Sequence, residues 1–565
     1  MRATYLFLFL VFVVSSGSAQ NVTFTKVWEK VYGGLAEEKA YNLNLLHLDQ
    51  DSNIIITAGS QSDVGGNKTS ANCVGTILFN SDFWLIKLDQ NGNKIFDNSY
   101  GSSNNEFLDD VVLLADGSIV MLGTSDSPIE CYKSQNRFST NPDVWLVKVD
   151  TNGGKVWDKR YGTTATDWVY NIIKSPNSGF LIAAACGGVT SPGNITSTSN
   201  GSLDITLINV DSNGIKQWDK MYGGIGAEFG NITATKDQNY LLAGLTTSWL
   251  PGGDISTTNI GGNGNTHSDG WVIKLDTTGN ILWEHRYGCQ NDDGFITGFE
   301  DVRGDYVAVG IVAGSCEGGN VTDTLDRGVT DIWLVKLNPV TGTITYDRRI
   351  GGNGYDACYQ IIETSDGGYL LACLSNSDVG FEKSEPRIVP ANPNLYQLWE
   401  DFWIVKTDSM FNVQWDKTIG GSDLEKSPCL LLLNDSTFIL AGASNSPISG
   451  DKTIAKFDTL GGINGSGGDI WVMKFTTSSI TSINEFTAPQ FSVYPNPVTD
   501  VLYVSPKKQL NTNAIISIID LQGREIMQQK VVQNTTTVIP IAVSTIEQGV
   551  YLVKLNGQLQ RFIKL

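Results

Sequence analysis

Three observations predict an all-β fold: a seven-bladed β-propeller of four-stranded blades, followed by a small β-sandwich. Two short motifs recur seven times between residues 28 and 475. Each period contains four strand-like runs separated by Gly-, Asn- and Asp-rich turns, and no helix-like run. The first and last periods are incomplete in complementary ways, which favours a ring closed by its own chain ends.

The first motif reads Trp, acid, base, any residue, Tyr, Gly. Close copies run from Trp28 to Gly33, Trp157 to Gly162, Trp218 to Gly223 and Trp283 to Gly288. Variants run from Phe96 to Gly101, Tyr346 to Gly351 and Trp415 to Gly420. The copies begin 61 to 69 residues apart, a period that accommodates one four-stranded sheet.

The second motif reads Asp, any residue, Trp, then apolar residues and Lys. Its copies begin at Asp82, Asp143, Asp269, Asp331, Asp401 and Asp469. Asp204 begins a degenerate copy, in which Thr206 replaces the Trp and Asn209 replaces the Lys. We expect the Asp to anchor a long loop to its strand and the Trp to pack between blades, because aromatic residues at fixed repeat positions form the core.

These motifs define four strands, A to D, in each repeat. Strand A follows the Gly of the first motif, strand B follows a short turn, strand C carries the second motif, and strand D carries the first. The repeat region begins with a lone strand D, Trp28 to Tyr32, and ends with a strand C, Trp471 to Phe475. We expect these two strands to pair, which completes the seventh blade and removes an exposed sheet edge.

The N-terminus indicates export. Residues 1–19 read as a signal peptide, with Arg2, an apolar run from Tyr5 to Val14, and small residues up to Ala19. No later segment has the roughly 20 apolar residues that a transmembrane helix needs. The net charge of −20 argues against nucleic acid as a partner.

Eight cysteines suit an oxidising exterior. Cys186 falls in an expected long loop. Cys358 and Cys373 fall on expected neighbouring strands, but a hairpin turn of about two to four residues would leave them about two positions out of register. A bridge between Cys358 and Cys373 is therefore left open.

The C-terminal region differs in composition. Residues 476–490 form a Ser/Thr-rich linker, and alternating apolar residues in 491–565 predict a small β-sandwich. The region contains Tyr494-Pro495-Asn496-Pro497, Asp520-Leu521-Gln522-Gly523-Arg524 and Gly549-Val550-Tyr551-Leu552-Val553-Lys554.

As a set, these three motifs resemble the type A sorting domain of the type IX secretion system of Bacteroidetes. The resemblance covers about residues 490–565. It implies contact with the type IX machinery, passage across the outer membrane, and release from the cell or attachment to its surface. The preceding repeats are similar to repeats that are common in secreted proteins of the same bacteria.

The strand B–C connections are the expected ligand face. They run to about 19 to 27 residues and gather on one side of a propeller, and loops of that length are usually functional. The alternative is that the loops only pack on one another. Exposed aromatic residues that do not repeat are candidate contacts for a glycan or protein ligand: Trp168, Trp249 and Tyr132.

An acidic residue also occurs five positions after the Gly of every strand D. The seven are Glu38, Glu106, Asp167, Glu228, Asp293, Asp356 and Glu425. We expect them to ring the mouth of the central channel. Like charges brought together require a cation or hydrogen bonds, so Ca²⁺ is one interpretation.

The other interpretation is that each acid bonds backbone amides of its own turn or a base of strand D. The candidate bases are Lys30, Lys159, Lys220, Arg348 and Lys417. Three loops also contain Gly-Gly-Asn/Asp steps, which are either tight turns or cation ligands: Gly65-Gly66-Asn67, Gly252-Gly253-Asp254 and Gly318-Gly319-Asn320.

No catalytic motif is present, and the three histidines fall in three different repeats. The sequence therefore favours a secreted or cell-surface binding or adhesion protein. One alternative is a secreted polysaccharide lyase or hydrolase, with acids and bases scattered through the loops of a propeller. The other is a structural component of a surface layer.

Overall fold

The structure is a computed structural model of the chain. It describes residues 22–39, 46–73, 80–176, 179–187, 193–260, 267–316, 318–388, 400–458, 468–479, 491–507, 510, 514–520, 524–531, 537–555 and 558–565. The expected signal peptide and residues 480–490 of the expected linker lie outside the described residues. The chain divides into two compact units, Met1–Ser479 and Ile480–Leu565.

The first unit contains seven antiparallel sheets, named sheets 1 to 7 in chain order. The chain begins with β1 (Val22–Tyr32), which belongs to sheet 7. Sheet 1 contains β2 (Glu38–Lys39), β3 (Leu46–Leu48), β4 (Ile54–Ser60), β5 (Asp82–Leu88) and β6 (Lys94–Tyr100). Sheet 2 contains β7 (Glu106–Leu113), β8 (Ile119–Ser125), β9 (Asp143–Val149) and β10 (Lys155–Tyr161). Sheet 3 contains β11 (Asp167–Lys174), β12 (Phe180–Gly187), β13 (Leu203–Val210) and β14 (Lys216–Tyr222).

The remaining four sheets repeat this arrangement. Sheet 4 contains β15 (Glu228–Ala234), β16 (Tyr240–Thr246), β17 (Asp269–Leu275) and β18 (Ile281–Tyr287). Sheet 5 contains β19 (Asp293–Glu300), β20 (Tyr306–Ala313), β21 (Thr330–Leu337) and β22 (Ile344–Ile350). Sheet 6 contains β23 (Asp356–Glu363), β24 (Tyr369–Ser375), β25 (Asp401–Thr407) and β26 (Val413–Ile419). Sheet 7 contains β27 (Glu425–Asn434), β28 (Thr437–Ser444), β29 (Asp469–Ser479) and β1.

In every sheet the strands pair in the expected order A, B, C, D, and in sheet 1 strand A is divided between β2 and β3. The prediction of an all-β protein built from repeated four-stranded antiparallel sheets is therefore confirmed. In the described part of the chain, no helix is long and apolar enough to span a membrane.

The two ends of the repeat region pair as expected. Trp28 lies opposite Lys474, and Val31 lies opposite Trp471. The pairing continues outward until Val22 meets Ser479, so β29 extends beyond residue 475 into the expected linker. Phe24 contributes to this extension, because its ring packs edge-on against Trp415 with centroids 5.0 Å apart.

Adjacent sheets are joined by a repeated hydrogen bond. The Tyr that ends strand D donates its hydroxyl to a Gly carbonyl in the C–D turn of the next sheet. The distances are 2.7 Å for Tyr100 to Gly153, 2.5 Å for Tyr161 to Gly214, 2.6 Å for Tyr222 to Gly279 and 2.5 Å for Tyr287 to Gly342. Tyr32 of sheet 7 makes the same bond to Gly92 of sheet 1.

The Trp residues of the second motif lie between sheets. Trp84, Trp145, Trp271, Trp333, Trp403 and Trp471 are all fully buried. Each indole N–H donates to the strand D acid of its own sheet, as in Trp84 to Asp97 at 3.0 Å and Trp471 to Glu29 at 2.8 Å. Trp84 also packs in one apolar cluster with Ile439 and Val472 of sheet 7, which confirms the expected position between blades.

Four cysteines form disulfides, Cys73–Cys131 and Cys289–Cys316. The other four are buried, and Cys186 lies within β12 rather than in the expected loop. Cys358 lies directly opposite Cys373, so the expected offset of two positions is wrong. The turn between β23 and β24 spans residues 364–368, and a bulge after Cys358 inserts one further residue, which together restore the register.

The second unit contains two antiparallel sheets that share one apolar core. Its strands are β30 (Phe491–Tyr494), β31 (Val501–Pro506), β32 (Ile515–Ile519), β33 (Glu525–Lys530), β34 (Ile539–Ala542), β35 (Gly549–Leu555) and β36 (Gln558–Lys564). One sheet has the order β30-β31-β34, and the other has the order β33-β32-β35-β36.

The Gly that ends the first motif leaves no room for a side chain. A Cβ added at Gly33 would lie 2.2 Å from Asp469 Oδ1 and 2.8 Å from Glu38 Oε2. Gly33→Ala is expected to lower the free energy of unfolding by about 1–3 kcal/mol, because the core would be overpacked. Denaturant unfolding measures this loss.

Gly380→Ala is the matched control, since a Cβ at Gly380 has nothing within 4 Å. It is expected to change the free energy of unfolding by no more than about 0.5 kcal/mol. Equal stability of Gly33→Ala and the parent chain would contradict the close approach of sheets 7 and 1.

Candidate functional site

The long strand B–C connections, named loops 1 to 7 after their sheets, lie at the edge where strand D of the preceding sheet ends. They comprise residues 61–81, 126–142, 188–202, 247–268, 314–329, 376–400 and 445–468. Several are shorter than the sequence indicated, because the flanking strands extend into them.

Each loop is clamped to the preceding sheet near its start. A backbone N–H of the loop donates to the carbonyl of the Gly that follows strand D. The distances are 3.0 Å for Asn67 to Gly33, 3.2 Å for Tyr132 to Gly101, 3.1 Å for Asn194 to Gly162, 2.9 Å for Asp254 to Gly223, 3.1 Å for Asn320 to Gly288, 3.3 Å for Glu382 to Gly351 and 2.8 Å for Asp451 to Gly420. We name the loop segment that makes this bond the tip turn.

Turn geometry accounts for the Gly-Gly-Asn/Asp steps. Gly66, Gly253 and Gly319 have φ values of 57°, 59° and 75°, a region that favours glycine. The side chains that follow them accept the N–H of the strand D Gly at 2.9 Å for Asn67, 3.1 Å for Asp254 and 2.9 Å for Asn320. These oxygens therefore complete the clamp.

The loops are also fixed to their own sheets. Asp97 of strand D accepts the Thr69 N–H at 2.9 Å. Farther along loop 1, the Cys73 N–H donates to Asp82 of the second motif at 2.8 Å. Equivalent bonds join Phe138 to Asp143 at 2.9 Å and Ile388 to Asp401 at 2.6 Å. The expectation that the second-motif Asp anchors the long loop is confirmed.

Neighbouring loops are linked to each other. The Cys73–Cys131 disulfide joins loops 1 and 2. Arg327 of loop 5, which is largely buried, forms an ion pair with Glu382 of loop 6, with 2.7 Å between Nε and Oε2. A surface held in this way loses little conformational entropy when it binds a partner.

The seven predicted acids each open strand A of their sheet, and all are buried. Each accepts the backbone N–H of the residue four positions earlier, as in Ser102 to Glu106 at 2.9 Å. Hydroxyl groups at the end of strand B add further bonds, such as Ser125 to Glu106 at 2.7 Å. These contacts match the interpretation in which each acid fixes its own turn.

Each of these acids also faces the second-motif Asp of the preceding sheet. The pairs are Glu38 with Asp469, Glu106 with Asp82, Asp167 with Asp143, Glu228 with Asp204, Asp293 with Asp269, Asp356 with Asp331, and Glu425 with Asp401. Sequence reasoning missed these pairs because their members belong to different repeats.

Burial raises the pKa of the Asp members of these pairs and of Glu38, Glu106 and Glu425, and in several pairs the second carboxylate raises it further. The pKa is about 6 for Asp82, Asp143, Asp204, Asp269, Asp331 and Asp469, about 7 for Glu106, Asp167 and Asp401, and about 8 for Asp293. Among the described residues, Asp331 Oδ1 and Asp356 Oδ1 are both buried without a hydrogen-bond donor. A proton shared between two such carboxyl groups would satisfy both.

Buried bases accompany the pairs, but they are not the ones that the sequence indicated. Tip turns supply Lys68, Lys133, Lys383 and Lys452, all almost fully buried. Loops 4 and 5 carry Ile255 and Val321 at that position, and strand D supplies Arg286 and Arg349 instead. Arg286 lies 3.1 Å from Asp269, and Arg349 bonds Asp331.

The expected strand D bases point elsewhere. Lys220 donates to Asn280 and Lys417 to Glu385, both at 2.8 Å. Arg286 and Arg349 each come one residue later in the motif than the expected bases. Adjacent residues of a strand face opposite sides of the sheet, so only the later position faces the carboxyl pairs.

The hydrogen bonds around the seven acids do not test the binding of Ca²⁺, which stays a prediction. Asp293 also lies 3.7 Å from Cys289 Sγ, close to Cys316. Cys289 and Cys316 are bonded to each other, so their sulfurs are not free thiolate ligands.

The three candidate contact residues are exposed, in three different sheets. Trp168 is the second residue of β11, Trp249 lies in loop 4, and Tyr132 lies in the tip turn of loop 2. Their exposed fractions are 45%, 48% and 40%. The Tyr132 ring also packs edge-on against Tyr100, with centroids 5.3 Å apart. Within the described ranges, no hydrogen bond or ring contact joins these three side chains.

Sequence reasoning missed a second set of exposed residues at the tip turns. It comprises the aliphatic residues Val64, Ile129, Leu250, Val379 and Ile448, together with Phe381. The signal is present in the sequence, since in each of these repeats an aliphatic residue occurs two positions after a Ser at the start of the loop. Only the structure shows that these side chains are not packed.

Two further features bear on the site. A cavity of about 290 Å³ lies among the strands A of sheets 2 to 6 and is lined by Asp109, Tyr170, Asn231, Phe299 and Tyr359, among others. His267 lies at the surface, with Nδ1 3.5 Å from Asp292 Oδ2. His285 of β18 bonds the Thr341 carbonyl in the C–D turn of sheet 5 at 2.7 Å, a contact between adjacent sheets.

The raised carboxyl pKa values predict that stability falls as the pH rises from about 5 to about 8. A group whose pKa is raised on folding contributes stability that is fully present below its unfolded pKa, near 4, and that is lost as the pH passes its folded pKa. Each such group contributes up to about 1.4 kcal/mol per pH unit. Thermal melting at several pH values and constant ionic strength measures the effect.

Asp293→Asn is the matched variant, since an amide keeps an acceptor for the Cys289 N–H but does not ionise. It is expected to flatten the loss between pH 6 and 8. Above about pH 8, Lys68, Lys133 and Lys452 begin to lose their charge, because burial lowers their pKa to about 8. A melting temperature that rises between pH 5 and pH 8 would contradict protons shared between the carboxyl groups. A melting temperature at pH 8 that increases when Ca²⁺ is added would favour a bound metal ion instead.

Comparison with known proteins adds a family for the second unit. Residues 492–564 match the model of the Secretion system C-terminal sorting domain. No curated protein matches the chain.

Similar solved structures include two proteins of unknown function. The one from Dyadobacter fermentans has a TM-score of 0.41 at 10% identity, over 80% of this chain and 99% of that one. The one from Bacteroides caccae has a TM-score of 0.33 at 13% identity, over 60% and 90%. A polysaccharide lyase of family PL25, an ulvan lyase, has a TM-score of 0.42 at 8% identity, over 75% and 96%.

All three TM-scores are below 0.5, so these similarities carry no argument about function. The sorting domain carries functional information, because the family to which it belongs directs proteins out of the cell. The chain is thus a repeat protein of four-stranded sheets that carries a type IX sorting domain and is exported to the outer surface or the medium.

Proposed function

We propose that this chain is a secreted or cell-surface binding protein of an adhesive kind, and that loops 1 to 7 form its ligand face. We propose further that the seven sheets close into a seven-bladed propeller. Three contacts that recur between successive sheets also join sheet 7 to sheet 1, and they support the closure: Tyr32 with Gly92, Asn67 with Gly33, and Glu38 with Asp469.

The observation that carries the proposal is the combination of fixed loops and exposed apolar side chains. The loops are clamped to the preceding sheet, anchored to their own sheet and linked to one another. A fold that needed the loops only for packing would bury their apolar residues, because exposure forgoes about 1.5–3 kcal/mol for each large side chain. The exposed rings of Trp168, Trp249 and Tyr132 are accordingly assigned to a ligand.

Aromatic residues of this kind suit either a glycan or a protein. Trp and Tyr combine a large apolar face with one hydrogen-bonding group, and they are enriched where binding energy concentrates. The chain's net charge of −20 opposes nucleic acid as the ligand.

Binding by the purified full chain to a glycan array and a peptide array tests the proposal. Trp168→Ala, Trp249→Ala and Tyr132→Ala are each made, and at least one is expected to weaken binding about tenfold or more, because contact rings of this kind carry 1.4 kcal/mol or more. The matched control is Val340→Ala, since Val340 is 80% exposed and lies in the C–D turn of sheet 5, away from the loops.

If the three variants and the control all bind as strongly as the parent chain, the ligand does not contact these three rings. An absence of binding to both arrays would argue against a binding protein.

A further inference from the structure

Phe381 occupies a position that the fold reserves for glycine. It has a φ of 51° in the tip turn of loop 6. The equivalent residues of loops 1, 4, 5 and 7 are Gly66, Gly253, Gly319 and Gly450, all with positive φ. Residues with a Cβ are disfavoured in this region, and a bulky side chain there is unusual enough to need an explanation.

The position also crowds a neighbouring atom. A Cβ added to the four glycines would lie 2.1 to 2.5 Å from the carbonyl oxygen of the strand D Gly, as at Gly66 against Gly33 O, 2.4 Å away. That oxygen accepts the clamp bond. Loops 2 and 6 carry Cys131 and Phe381 here, and they have the two longest clamp bonds of the seven, 3.2 and 3.3 Å. Phe381 therefore strains its own loop.

Two other residues with positive φ show how such strain is offset. Phe411, with a φ of 60° in a C–D turn, is fully buried, and its ring centroid lies 5.4 Å from that of Tyr369. Cys131 gains a disulfide to Cys73. Phe381 is 57% exposed and has neither a disulfide nor an aromatic partner among the described residues. Neither kind of compensating contact offsets the backbone strain at Phe381, and uncompensated strain is characteristic of functional positions.

Phe381 belongs to a set of apolar residues at the tip turns. The aliphatic members are exposed by 59% at Val64, 59% at Ile129, 43% at Leu250, 58% at Val379 and 62% at Ile448. The serines two positions before them are buried and hydrogen-bonded, as in Ser377 Oγ to Asp356 at 2.8 Å. The repeat thus uses the serine for its structure, whereas the aliphatic residue two positions later is left largely exposed.

We infer that these tip residues, with Phe381 as the largest, dock a protein partner that presents apolar and basic side chains. The inference rests on the proposed function and narrows its ligand from glycan or protein to protein. Val, Ile and Leu have neither a ring to stack on a sugar nor a group to hydrogen-bond it. An apolar protein surface is complementary to them.

Charge supports a basic partner. Glu130 and Asp378 are exposed next to Ile129 and Val379, and the chain's net charge is −20. The same acids oppose insertion of the tips among anionic lipid headgroups. Basic residues on the partner would complement them and speed association.

The first test asks whether Phe381 serves the fold. Phe381→Gly in the full chain is expected to raise the melting temperature by roughly 1–2 °C, because strain is released and a side chain that is 57% exposed loses little packing. Phe411→Gly is the matched comparison, in the same backbone region but buried, and it is expected to lower the melting temperature. A lower melting temperature for Phe381→Gly would assign the residue to the fold and overturn the inference.

The second test uses a phage-displayed random peptide library as the probe, panned against the full chain. Peptides rich in apolar and basic residues are expected to be enriched. Phe381→Gly and Val379→Ser are expected to weaken their binding tenfold or more, and Ile95→Ser is expected to leave it unchanged. Ile95 is 53% exposed on β6 and serves as the control for a lost surface side chain.

The failure of this inference is distinguishable from the failure of the proposed function. Glycan binding that is lost in Trp168→Ala but kept in Phe381→Gly would uphold the binding function and overturn the protein partner. Binding to phosphatidylcholine vesicles that requires Phe381 would replace the protein with a lipid surface and also overturn the inference. The inference would also be overturned if no peptide is enriched, or if the enriched peptides bind Phe381→Gly and Val379→Ser as strongly as the parent chain.

Discussion

The repeat unit depends on the place where strand D of one sheet ends beside strand A of the next. At that point a glycine has no side chain, two carboxyl groups fill the space beside it, and the tip turn of the next loop binds its carbonyl oxygen. The approach is so close that a methyl group would overlap a carboxylate oxygen. Glycine is therefore required at the end of the first motif for space, and in most copies a positive φ plays no part.

Such an arrangement places many ionisable groups in a low-dielectric interior, where an unpaired charge is costly. Buried lysines and arginines neutralise part of it, and the raised carboxyl pKa values favour the neutral, protonated form for part of the remainder. Sheet 3 shows that the repeat does not need the bases, because it has Ile195 in its tip turn and Met221 in strand D. It also carries Cys186 where four other sheets carry Ser, and Thr206 where the other six carry Trp. The apolar version of the interface packs into the same four strands, in keeping with the interchangeability of buried ion pairs and apolar groups.

Repetition explains why much of the fold could be predicted from the sequence. The strand order, the pairing of Trp28 to Tyr32 with β29, and the position of the Trp residues all follow from two motifs with a regular period. The register of Cys358 with Cys373 could not be predicted, since it depends on a bulge that leaves no mark in composition. The carboxyl pairs could not be predicted either, because Glu38 and Asp469 are neighbours only after the chain ends have met.

The site was predicted less completely for a related reason. Sequence patterns show which residues repeat, and they led to the seven acids and the long loops. Exposure and backbone conformation are properties of the folded chain, so Phe381 reads as one more loop residue until its φ is known. In sheet 5 the expected strand D base was wrong by a single position, Arg348 for Arg349, because the pleat of a strand sends adjacent side chains to opposite faces. In other sheets the buried base comes from the tip turn, as at Lys383.

The pairing of β1 with β29 has a consequence for how the chain is made. β1 precedes the other strands in the chain, but its strand partner among the described residues is the last strand of the unit, more than four hundred residues later. Until β29 has been synthesised, β1 is an unpaired edge that is free to join strands of other chains. The unit is complete only when residue 479 has emerged, immediately before the sorting domain. The sorting domain is therefore synthesised only after all the strands of the seven sheets are present, so the export signal follows a repeat unit that is able to fold.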